Sequence, residues 1–305
     1  VSRDEMKQWQ MANRFSSQKD RLRFRLGDVR DEDRLTQIFS GADIVIHAAA
    51  QKIVDSCERD PVEAVKTNVN GAISVVNAAI KANVQSVIAL STDKACSPAN
   101  LYGATKLLSD KIFIAANSFT PGPNQTSFSV VRYGNVMGSR GSIIPYFKSL
   151  KHDIPFPITD ERMTRFAIRL NDAIESVIYA IDEMIGGEIF VKKIPSFRVV
   201  DLARAIDPNR PQSIVGIRPG EKLHEMMISE EDSRTAVDTG KFYIILPQVW
   251  EWAGPDFYGK YSAFGSQNQG EFTYTSQTNV DWLKHEELKK FVSKVSQEIE
   301  LVDEL

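Results

Sequence analysis

The chain contains only two cysteines among its 305 residues, Cys57 and Cys96. That number excludes the disulfide framework of a small secreted protein and fits a reducing compartment. Long apolar runs are missing too, since none approaches the ~18 residues that a membrane-spanning helix needs, and the first residues show no signal-peptide pattern. We therefore expect a soluble, cytoplasmic protein without a membrane partner.

A strong net charge is also absent. The 37 Lys and Arg residues nearly balance the 40 Asp and Glu residues, which gives a formal net charge of −3. This balance argues against a nucleic-acid partner. The hydrophobic content of 42% and the charged content of 25% are those of an ordinary globular protein, and the length allows one large or two modest domains.

The most informative stretch of the chain is 84–116. The run 84–90 is apolar and rich in β-branched residues, which predicts a strand. Further on, apolar residues recur at helical spacing, which predicts a helix with Leu101, Ala104, Leu108, Ile112 and Ala115 on one side. Tyr102 and Lys106 lie four residues apart on the other side of this helix, one turn from each other.

This pair has a chemical use as a tunable acid. A tyrosine hydroxyl has a pKa near ~10, but a neighbouring ammonium stabilises the phenolate and lowers that pKa. At ~4 Å and an effective dielectric of ~20 the attraction is about 4 kcal/mol, or roughly three pKa units before desolvation. Such a tyrosine could accept a proton from a substrate hydroxyl while hydride leaves the same carbon. The alternative is a chance pair on a helix surface.

The residues around the pair resemble the active-site segment of the extended short-chain dehydrogenase/reductase family. In that family a hydroxyl residue, a tyrosine and a lysine act together on an NAD(P) cofactor. The Asp-Lys dipeptide at 93–94 and the run NLYGATKLLSDK are similar to the inverting UDP-N-acetylglucosamine 4,6-dehydratases of the pseudaminic acid pathway. The resemblance extends from residue 1 to about residue 242, and it implies that the catalytic residues are Thr92, Asp93, Lys94, Tyr102 and Lys106.

The same resemblance implies a cofactor site. Ser2 and Arg3 match the end of a strand that meets the adenosine ribose, and an arginine there suits the 2′-phosphate of NADP, so we expect NADP rather than NAD. The alternative is a solvated charged terminus. The cofactor-binding residues implied are Ser2, Arg3, Asp28, Val29, Ala48, Ala49, Tyr102, Lys106 and Asn135.

A UDP-sugar site is implied as well. In relatives the arginine of the Arg-Pro-Gly-Glu-Lys segment meets the uridine diphosphate and the glutamate meets the ribose, which fits a bidentate guanidinium and a carboxylate. The glycine loop 138–141, with Arg140, resembles a diphosphate seat, although a plain glycine turn is the alternative. The substrate-binding residues implied are Lys52, Tyr133, Asn135, Ser142, Arg218 and Glu221. Asn68 resembles an asparagine that supports the active-site geometry.

A metal site is not expected. His224 and Glu225 begin like the zinc-protease motif, but the residue four positions after His224 is Ile228, which is no ligand.

Alternating strand and helix patterns predict the fold class. Strands are expected at 23–26, 43–47, 84–90 and 128–132, and helices at 5–15, 31–39, 61–82, 101–115 and 143–150. This order predicts an α/β protein with a doubly wound parallel sheet, Rossmann-like, with ligands at the carboxyl ends of the strands. We expect a cofactor-binding domain over 1–155 and a smaller, mainly substrate-binding domain over 156–305. A charged helix from Asp281 onward is expected to be a surface element or a subunit contact.

The glycine fingerprint of dinucleotide-binding proteins is not present. Gly134, Gly138 and Gly141 follow a predicted strand, but they are spaced by four and three residues rather than by two and three. We expect the sequence to be an amino-terminally truncated fragment of such a fold; the alternative is a protein that does not hold its cofactor in the usual way.

The activity that the resemblance implies is an internal redox dehydration of UDP-N-acetylglucosamine to a UDP-4-keto-6-deoxy-hexosamine with inversion at C5. Tyr102, helped by Thr92 and Lys106, takes the proton of the C4 hydroxyl. A neutral Lys94 takes the C5 proton, and a protonated Asp93 protonates the departing C6 hydroxyl. The alternatives are a UDP-sugar 4-epimerase or reductase of the same fold, or a truncated, non-catalytic sugar-nucleotide-binding protein. A homo-oligomer is expected.

Overall fold

Helices and strands alternate through the first half of the chain, as the apolar periodicity predicts. In the computed structural model, residues 1–119, 125–139, 141–248, 259, 261, 265–267 and 270–303 are described. The helices of the first half are α1 (Glu5–Arg14), α2 (Glu32–Phe39), α3 (Val54–Arg59), α4 (Pro61–Val65), α5 (Gly71–Lys81), α6 (Leu101–Ala115) and α7 (Ile143–Ser149), and its strands are β1 (Ile44–His47), β2 (Ser86–Thr92) and β3 (Ser127–Tyr133). Asp4, Asp31 and Asn100 begin their helices by accepting a hydrogen bond from the backbone N–H three residues on.

The second half adds shorter strands and four helices among the described residues. The helices are α8 (Leu170–Glu183), α9 (Val199–Ile206), α10 (Glu230–Ser233) and α11 (His285–Asp303). The strands are β4 (Phe156–Ile158), β5 (Thr164–Phe166), β6 (Ile189–Lys192), β7 (Ser196–Arg198), β8 (Gln212–Ile214), β9 (Met226–Ile228), β10 (Ala236–Asp238), β11 (Phe242–Ile245), β12 (Ser266–Gln267) and β13 (Tyr274–Thr275). No helix in the described part of the chain is both long and apolar enough to cross a bilayer.

Seven of the described strands form the main sheet, in the order β1-β2-β3-β6-β11-β10-β12. The first four are parallel to one another, and β11, β10 and β12 continue the sheet in antiparallel pairs. The predicted α/β fold with a parallel sheet is confirmed, and the antiparallel extension was not predicted. Because β6 and β10–β12 come from beyond residue 155, the sheet contains strands from both predicted domains. The boundary at 155 stays a prediction.

Both faces of the sheet are covered by helices. Side chains of a strand alternate between faces, and in β2 Val87 and Ala89 pack in the same apolar cluster as Phe113 of α6, whereas Ile88 packs with Val177 of α8. A second core joins α7, α9 and α11. Leu288 of α11 lies in this core with no exposed surface, so one face of α11 packs against the fold.

Three predicted elements differ from the structure. The stretch 23–26 forms a single bridge between Ser2 and Leu26 instead of a strand. The helix predicted over 61–82 is divided by a π-helical turn, Lys66–Asn70. In α6 the predicted apolar stripe is largely exposed, with Leu108 50% accessible, while polar residues of the opposite side are buried.

Candidate active site

The predicted catalytic residues lie together where β2 ends. Thr92 is the last residue of β2, and Asp93–Ala95 forms a 3₁₀ turn that leads towards α6. Thr92 Oγ1 donates to Asp93 Oδ1 at 2.9 Å and accepts from Lys94 N at 3.3 Å. Parallel strands present their carboxyl ends at one edge of a sheet, so the local sequence delivers these groups to the rim where ligands bind.

Lys94 is surrounded by oxygen acceptors. Its Nζ lies 3.1 Å from Asp93 Oδ1, 3.0 Å from Asn135 Oδ1 and 3.3 Å from Glu225 Oε1. An ammonium has three N–H donors and no lone pair, so three acceptors match the protonated form. Burial by itself would lower the pKa of Lys94, but the carboxylates of Asp93 and Glu225 raise it above its ordinary value. The expected neutral Lys94 therefore does not fit the resting site.

Tyr102 is held in its protonated form by burial. Burial raises the pKa of Tyr102 to about 12, while the Lys94 ammonium and a hydrogen bond with Thr92 act in the opposite direction. Lys106, at 3% exposure, was expected to be the cation that lowers this pKa. Burial instead lowers the pKa of Lys106 itself, against the attraction of Asp110. Lys94 is one cation that lowers the pKa of Tyr102.

Two groups fix the position of α6 beneath the site. Asn68, in the π-helical turn, accepts from Gln51 N at 2.8 Å, donates to Gln51 O at 3.0 Å and donates to Thr105 Oγ1 at 3.0 Å. Gly103 packs against the turn that carries Lys94, because a Cβ on Gly103 would lie 2.2 Å from Lys94 O. The helix with Tyr102 and Lys106 is thus seated directly on the backbone of Lys94.

Most of the predicted cofactor residues surround one large cavity. Its volume is about 1050 Å³, and its wall includes Ser2, Arg3, Val29, Ala48 and Ala49. Asp28 lies beside this wall, with its carboxylate 3.6 Å from Arg3 Nη1 and hydrogen-bonded to Arg30. Tyr102, Lys106 and Asn135 do not line this cavity and lie instead at or beneath the catalytic rim.

Two further cavities hold most of the predicted substrate residues. A cavity of about 160 Å³ and another of about 410 Å³ both include Asn135, Arg218 and Glu221 in their walls. Ser142 lines the larger cavity, and its hydroxyl accepts from Gly138 N at 3.1 Å. Arg140 lies outside the described residues.

The other two predicted substrate residues are placed differently. Tyr133 is the register partner of Thr92 across β2 and β3, so it lies beside the catalytic turn. Lys52 is exposed and lines neither of these two cavities.

The site also contains two charged residues that were not among the predicted catalytic residues. Glu225 contacts Lys94, and Arg165 lies 3.6 Å from both Glu221 and Glu225. Arg165 also donates to Lys222 O at 3.0 Å and to Leu223 O at 3.1 Å, so it fixes the loop between the two glutamates. The sequence gives no local signal for Glu225, because its contact joins residues that are 131 positions apart. Among the described residues no group of three His, Cys, Asp or Glu side chains is arranged to hold a metal ion.

The chain is similar to several known proteins in sequence and in fold. Residues 1–247 match the model of a family described as polysaccharide biosynthesis protein. A UDP-N-acetylglucosamine 4,6-dehydratase (inverting) from Campylobacter jejuni is 47% identical over 297 residues, which cover 96% of this chain and 88% of that protein. A UDP-glucose 4-epimerase from Rickettsia canadensis is 39% identical over 95% of this chain and 85% of its own. The crystal structure of Pen from Bacillus thuringiensis superposes with a TM-score of 0.84 at 32% identity, over 96% of this chain and 88% of that one.

Proposed function

The chain belongs to the polysaccharide biosynthesis protein family, and on that premise we propose that it dehydrates UDP-N-acetylglucosamine to a UDP-4-keto-6-deoxy-hexosamine with inversion at C5. The observation that carries the proposal is the contact of Asp93 with both Thr92 and Lys94 beside Tyr102. A redox step at C4 needs only Tyr102 with the assistance of Thr92 and Lys106. Elimination of water needs an additional acid and an additional base, and Asp93 and Lys94 supply that pair. The similarity to the Campylobacter jejuni dehydratase supports the same assignment.

The described residues fit a nicotinamide dinucleotide. The cavity of about 1050 Å³ is large enough for part of such a molecule, Ala48 and Ala49 leave its wall open to close approach, and Thr67 Oγ1 is a buried hydroxyl in that wall without a partner among the described residues. A bound nicotinamide would supply the hydride acceptor for C4 and the hydride donor for C6.

We propose NADP as this cofactor. The residues that would hold it are Ser2, Arg3, Asp28, Val29, Ala48, Ala49, Tyr102, Lys106 and Asn135. The Arg3 guanidinium is half-exposed in the wall of the cavity, so it is accessible to a phosphate group there. A guanidinium pairs well with a phosphate, and this favours the 2′-phosphate of NADP. Parallel titrations of the protein with NADP+ and NAD+ test this choice, and tighter binding of NAD+ would contradict it.

The side chains divide the proton transfers between two groups. Tyr102, hydrogen-bonded to Thr92, takes the C4 hydroxyl proton in its phenolate form, which burial disfavours and the nearby Lys94 ammonium favours. Asp93 and Lys94 serve the elimination. Moving one proton from Lys94 Nζ to Asp93 Oδ1, across 3.1 Å, turns the resting ion pair into a carboxylic acid and a neutral amine. That single transfer prepares both the acid for the C6 hydroxyl and the base for the C5 proton.

The nucleotide part of the substrate is proposed to bind in the two smaller cavities. Arg218 offers a guanidinium to the diphosphate and Glu221 a carboxylate to ribose hydroxyls, with Asn135 and Ser142 lining the same space. Tyr133 is proposed to contact the sugar from beside Thr92. Lys52 is exposed and lies outside these walls, and its contact with the substrate stays a prediction.

We also propose that the protein forms a homo-oligomer. Leu108 of α6 is 50% exposed and Ile73 of α5 is 43% exposed, although each is a large apolar side chain on a regular helix. Burial of such side chains in a subunit contact would be favourable. Light scattering of the purified protein tests this proposal, and a monomer at all concentrations would contradict it. The cytoplasmic location stays a prediction.

The test of the proposed activity follows the product directly. The protein is incubated with UDP-N-acetylglucosamine and NADP+, and the sugar is followed by proton NMR. We expect a 4-keto-6-deoxy sugar without net formation of NADPH. We expect Asp93→Asn to lower the rate of its formation by about a hundredfold or more, because general acid catalysis is lost. The exposed Asp33→Asn is the matched control and should keep the wild-type rate.

The rival UDP-sugar 4-epimerase has a distinct outcome in this experiment. It would yield the C4 epimer and would retain turnover in Asp93→Asn, since epimerisation does not use that acid. The similarity to the Rickettsia canadensis protein is the observation that keeps this candidate in view. Formation of neither product would leave a sugar-nucleotide-binding protein as the better description.

A further inference from the structure

Glu225 brings a second carboxylate to Lys94 from a distant part of the sequence. It lies 131 residues after Lys94, directly before β9, and its Oε1 accepts from Lys94 Nζ at 3.3 Å. The residue is only 3% exposed, and its Oε2 is a buried atom without a hydrogen-bond partner among the described residues. Burial of a carboxylate costs free energy unless the charge is paired, and the contact with Lys94 supplies the pairing for Glu225.

The surrounding backbone holds Glu225 in this position. Glu225 N donates to Ser276 Oγ at 2.9 Å, and Ser276 N donates to Glu225 O at 2.8 Å. On the side of the carboxylate, Arg165 Nε lies 3.6 Å from Oε1. The charge of Glu225 is therefore fixed relative to Lys94 by two hydrogen bonds of the main chain and by one neighbouring guanidinium.

The groups that face Lys94 differ in what they provide. Asn135 offers an uncharged oxygen, so it accepts one N–H of the ammonium and fixes the direction of the side chain without adding a charge. Asp93 and Glu225 each offer a negative charge, Arg165 opposes them, and the hydroxyl of Tyr102 is nearby. Asp93 also takes part in the proposed chemistry, whereas Glu225 has no step to perform there.

We propose that Glu225 is a positioning residue of the reaction: with Asp93 and Asn135 it holds the Lys94 ammonium at one place in the cavity, and its charge keeps the shared proton on Lys94 rather than on Asp93. This inference rests on the proposed function for its catalytic meaning. The transfer breaks an N–H bond of Lys94 and forms an O–H bond on Asp93, so the pair keeps the same number of protons. The Glu225 carboxylate stabilises the pair in which Lys94 is an ammonium and Asp93 a carboxylate. The pair of neutral Lys94 and protonated Asp93 is therefore the minor form.

The test removes the charge of Glu225 and keeps its shape. In Glu225→Gln the amide oxygen can still accept a hydrogen bond from Lys94, but the ammonium loses one attracting charge. We expect the pKa of Lys94 to fall, so that the variant begins to lose the Lys94 proton at a pH where the wild type still holds it. The titration is followed by NMR of protein labelled with ¹³C at lysine Cε, with the Lys94 signal assigned from its absence in Lys94→Arg. In turnover, the alkaline limb of kcat/KM should move to lower pH, while KM for the sugar nucleotide stays close to the wild-type value.

Two further variants make the result specific. Glu221→Gln removes the other carboxylate that lies 3.6 Å from Arg165, and the Lys94 titration should stay within a few tenths of a unit because Glu221 is not among the partners of Lys94. Glu225→Asp keeps the charge one methylene further away and should give a smaller shift in the same direction. That variant also serves if Glu225→Gln is too unstable to titrate.

An unchanged Lys94 titration in Glu225→Gln, or in Glu225→Asp where only that variant folds, overturns the inference. The titration does not depend on turnover, so the two proposals fail separately. A shifted titration in a protein that forms no 4-keto-6-deoxy sugar would refute the proposed function alone. Normal dehydration with an unshifted titration would refute the role of Glu225 alone.

Discussion

His47 is a buried titratable side chain at the end of β1. It is 4% exposed, its ring centroid lies 5.4 Å from that of Phe113, and its Nε2 has no hydrogen-bond partner within the described residues. Burial, assisted by the positive charge of Lys106, lowers the pKa of His47 to about 3. The ring is therefore neutral in the folded protein at every pH near neutrality.

This burial predicts a specific loss of stability in acid. Above its unfolded pKa of ~6.5 the histidine is neutral in both states, so its contribution to stability is fully present there. Below that pH the unfolded state binds a proton that folded His47 rejects, until the pH reaches its folded pKa of about 3. We expect the free energy of unfolding to fall by up to about 1.4 kcal/mol per pH unit from this residue alone.

Urea unfolding of wild type and His47→Phe at pH 7.5 and pH 5.0 measures the effect. The wild type should lose about 2 kcal/mol more than His47→Phe between the two pH values, because phenylalanine does not titrate. The exposed His152→Gln is the control and should lose as much as the wild type. Equal losses in wild type and His47→Phe would contradict the prediction.

For individual residues, the sequence predicts which side chains lie close together but not whether they are charged. Thr92, Asp93, Lys94 and Tyr102 are neighbours along one strand and helix, so their proximity follows from local structure. The protonation of Lys94 depends on Glu225, which arrives from 131 residues away and leaves no local signal. Burial raises the pKa of Tyr102 and lowers the pKa of Lys106, and the spacing of the two residues along the sequence indicates neither change.

Gly103 determines how closely α6 approaches the catalytic turn. A Cβ at this position would lie 2.2 Å from Lys94 O and 3.0 Å from Pro98 Cβ, and the backbone oxygen cannot move away without moving Lys94. Glycine in a helix interior costs about 1 kcal/mol relative to alanine. The close approach of the helix to the turn therefore outweighs helix propensity here.

The substitution Gly103→Ala tests this contact. We expect it to lower the free energy of unfolding by about 1–3 kcal/mol through overpacking, in spite of the better helix propensity. We also expect kcat to fall at least about tenfold, because Tyr102 and Lys94 would be displaced relative to each other. Urea unfolding and the NMR assay measure the two effects. The exposed neighbour Ala104→Ser should change stability by less than about 0.5 kcal/mol, and a stabilised, active Gly103→Ala would contradict the argument.

Long periodic elements were predicted well, and their local irregularities were not. The helices at 31–39, 101–115 and 143–150 appear within a residue or two of the expected bounds. The helix expected over 61–82 contains a π turn, since the Asn68 side chain bonds both Gln51 and Thr105. In α6 the apolar stripe is largely exposed, because the buried side carries the polar groups of the site.

Arg132 joins the two halves of the chain beneath the site. It lies in β3 at 2% exposure, and its Nη1 donates to Asp232 Oδ2 at 2.8 Å and to Met227 O at 2.9 Å. Its Nη2 lies 3.7 Å from Asp110 of α6. Burial raises the pKa of Asp110, and the charge of Arg132 opposes that change. One guanidinium thus neutralises carboxylates from the catalytic helix and from the second half of the chain.

We expect Arg132→Met to lower the free energy of unfolding by about 3–5 kcal/mol at pH 7, because it leaves a buried carboxylate without its partner. Urea unfolding measures the loss. In the double variant Arg132→Met/Asp110→Asn one of the uncompensated charges is also gone, so its loss should be smaller than the sum of the two single losses. Strict additivity would show that the two side chains do not interact.

At the scale of the molecule, the repeating strand and helix pattern was sufficient to predict the parallel half of the sheet. The antiparallel half was not predictable in the same way. Its strands β10–β12 are two to four residues long and lie beyond the regular alternation, so their pairing depends on contacts between distant segments. The single bridge between Ser2 and Leu26 likewise has too few paired residues to leave a periodic signal.

The buried network around Arg132 gives the molecule an uneven response to heat. Hydration of charged groups becomes less favourable as the temperature rises, so the penalty for having removed Arg132 and Asp110 from water decreases on warming. The attraction among the three charges is retained. The ion pairs of Arg132 with Asp110 and Asp232 should therefore weaken less on warming than the apolar contacts around them. Their contribution to the free energy of unfolding should be smallest at low temperature.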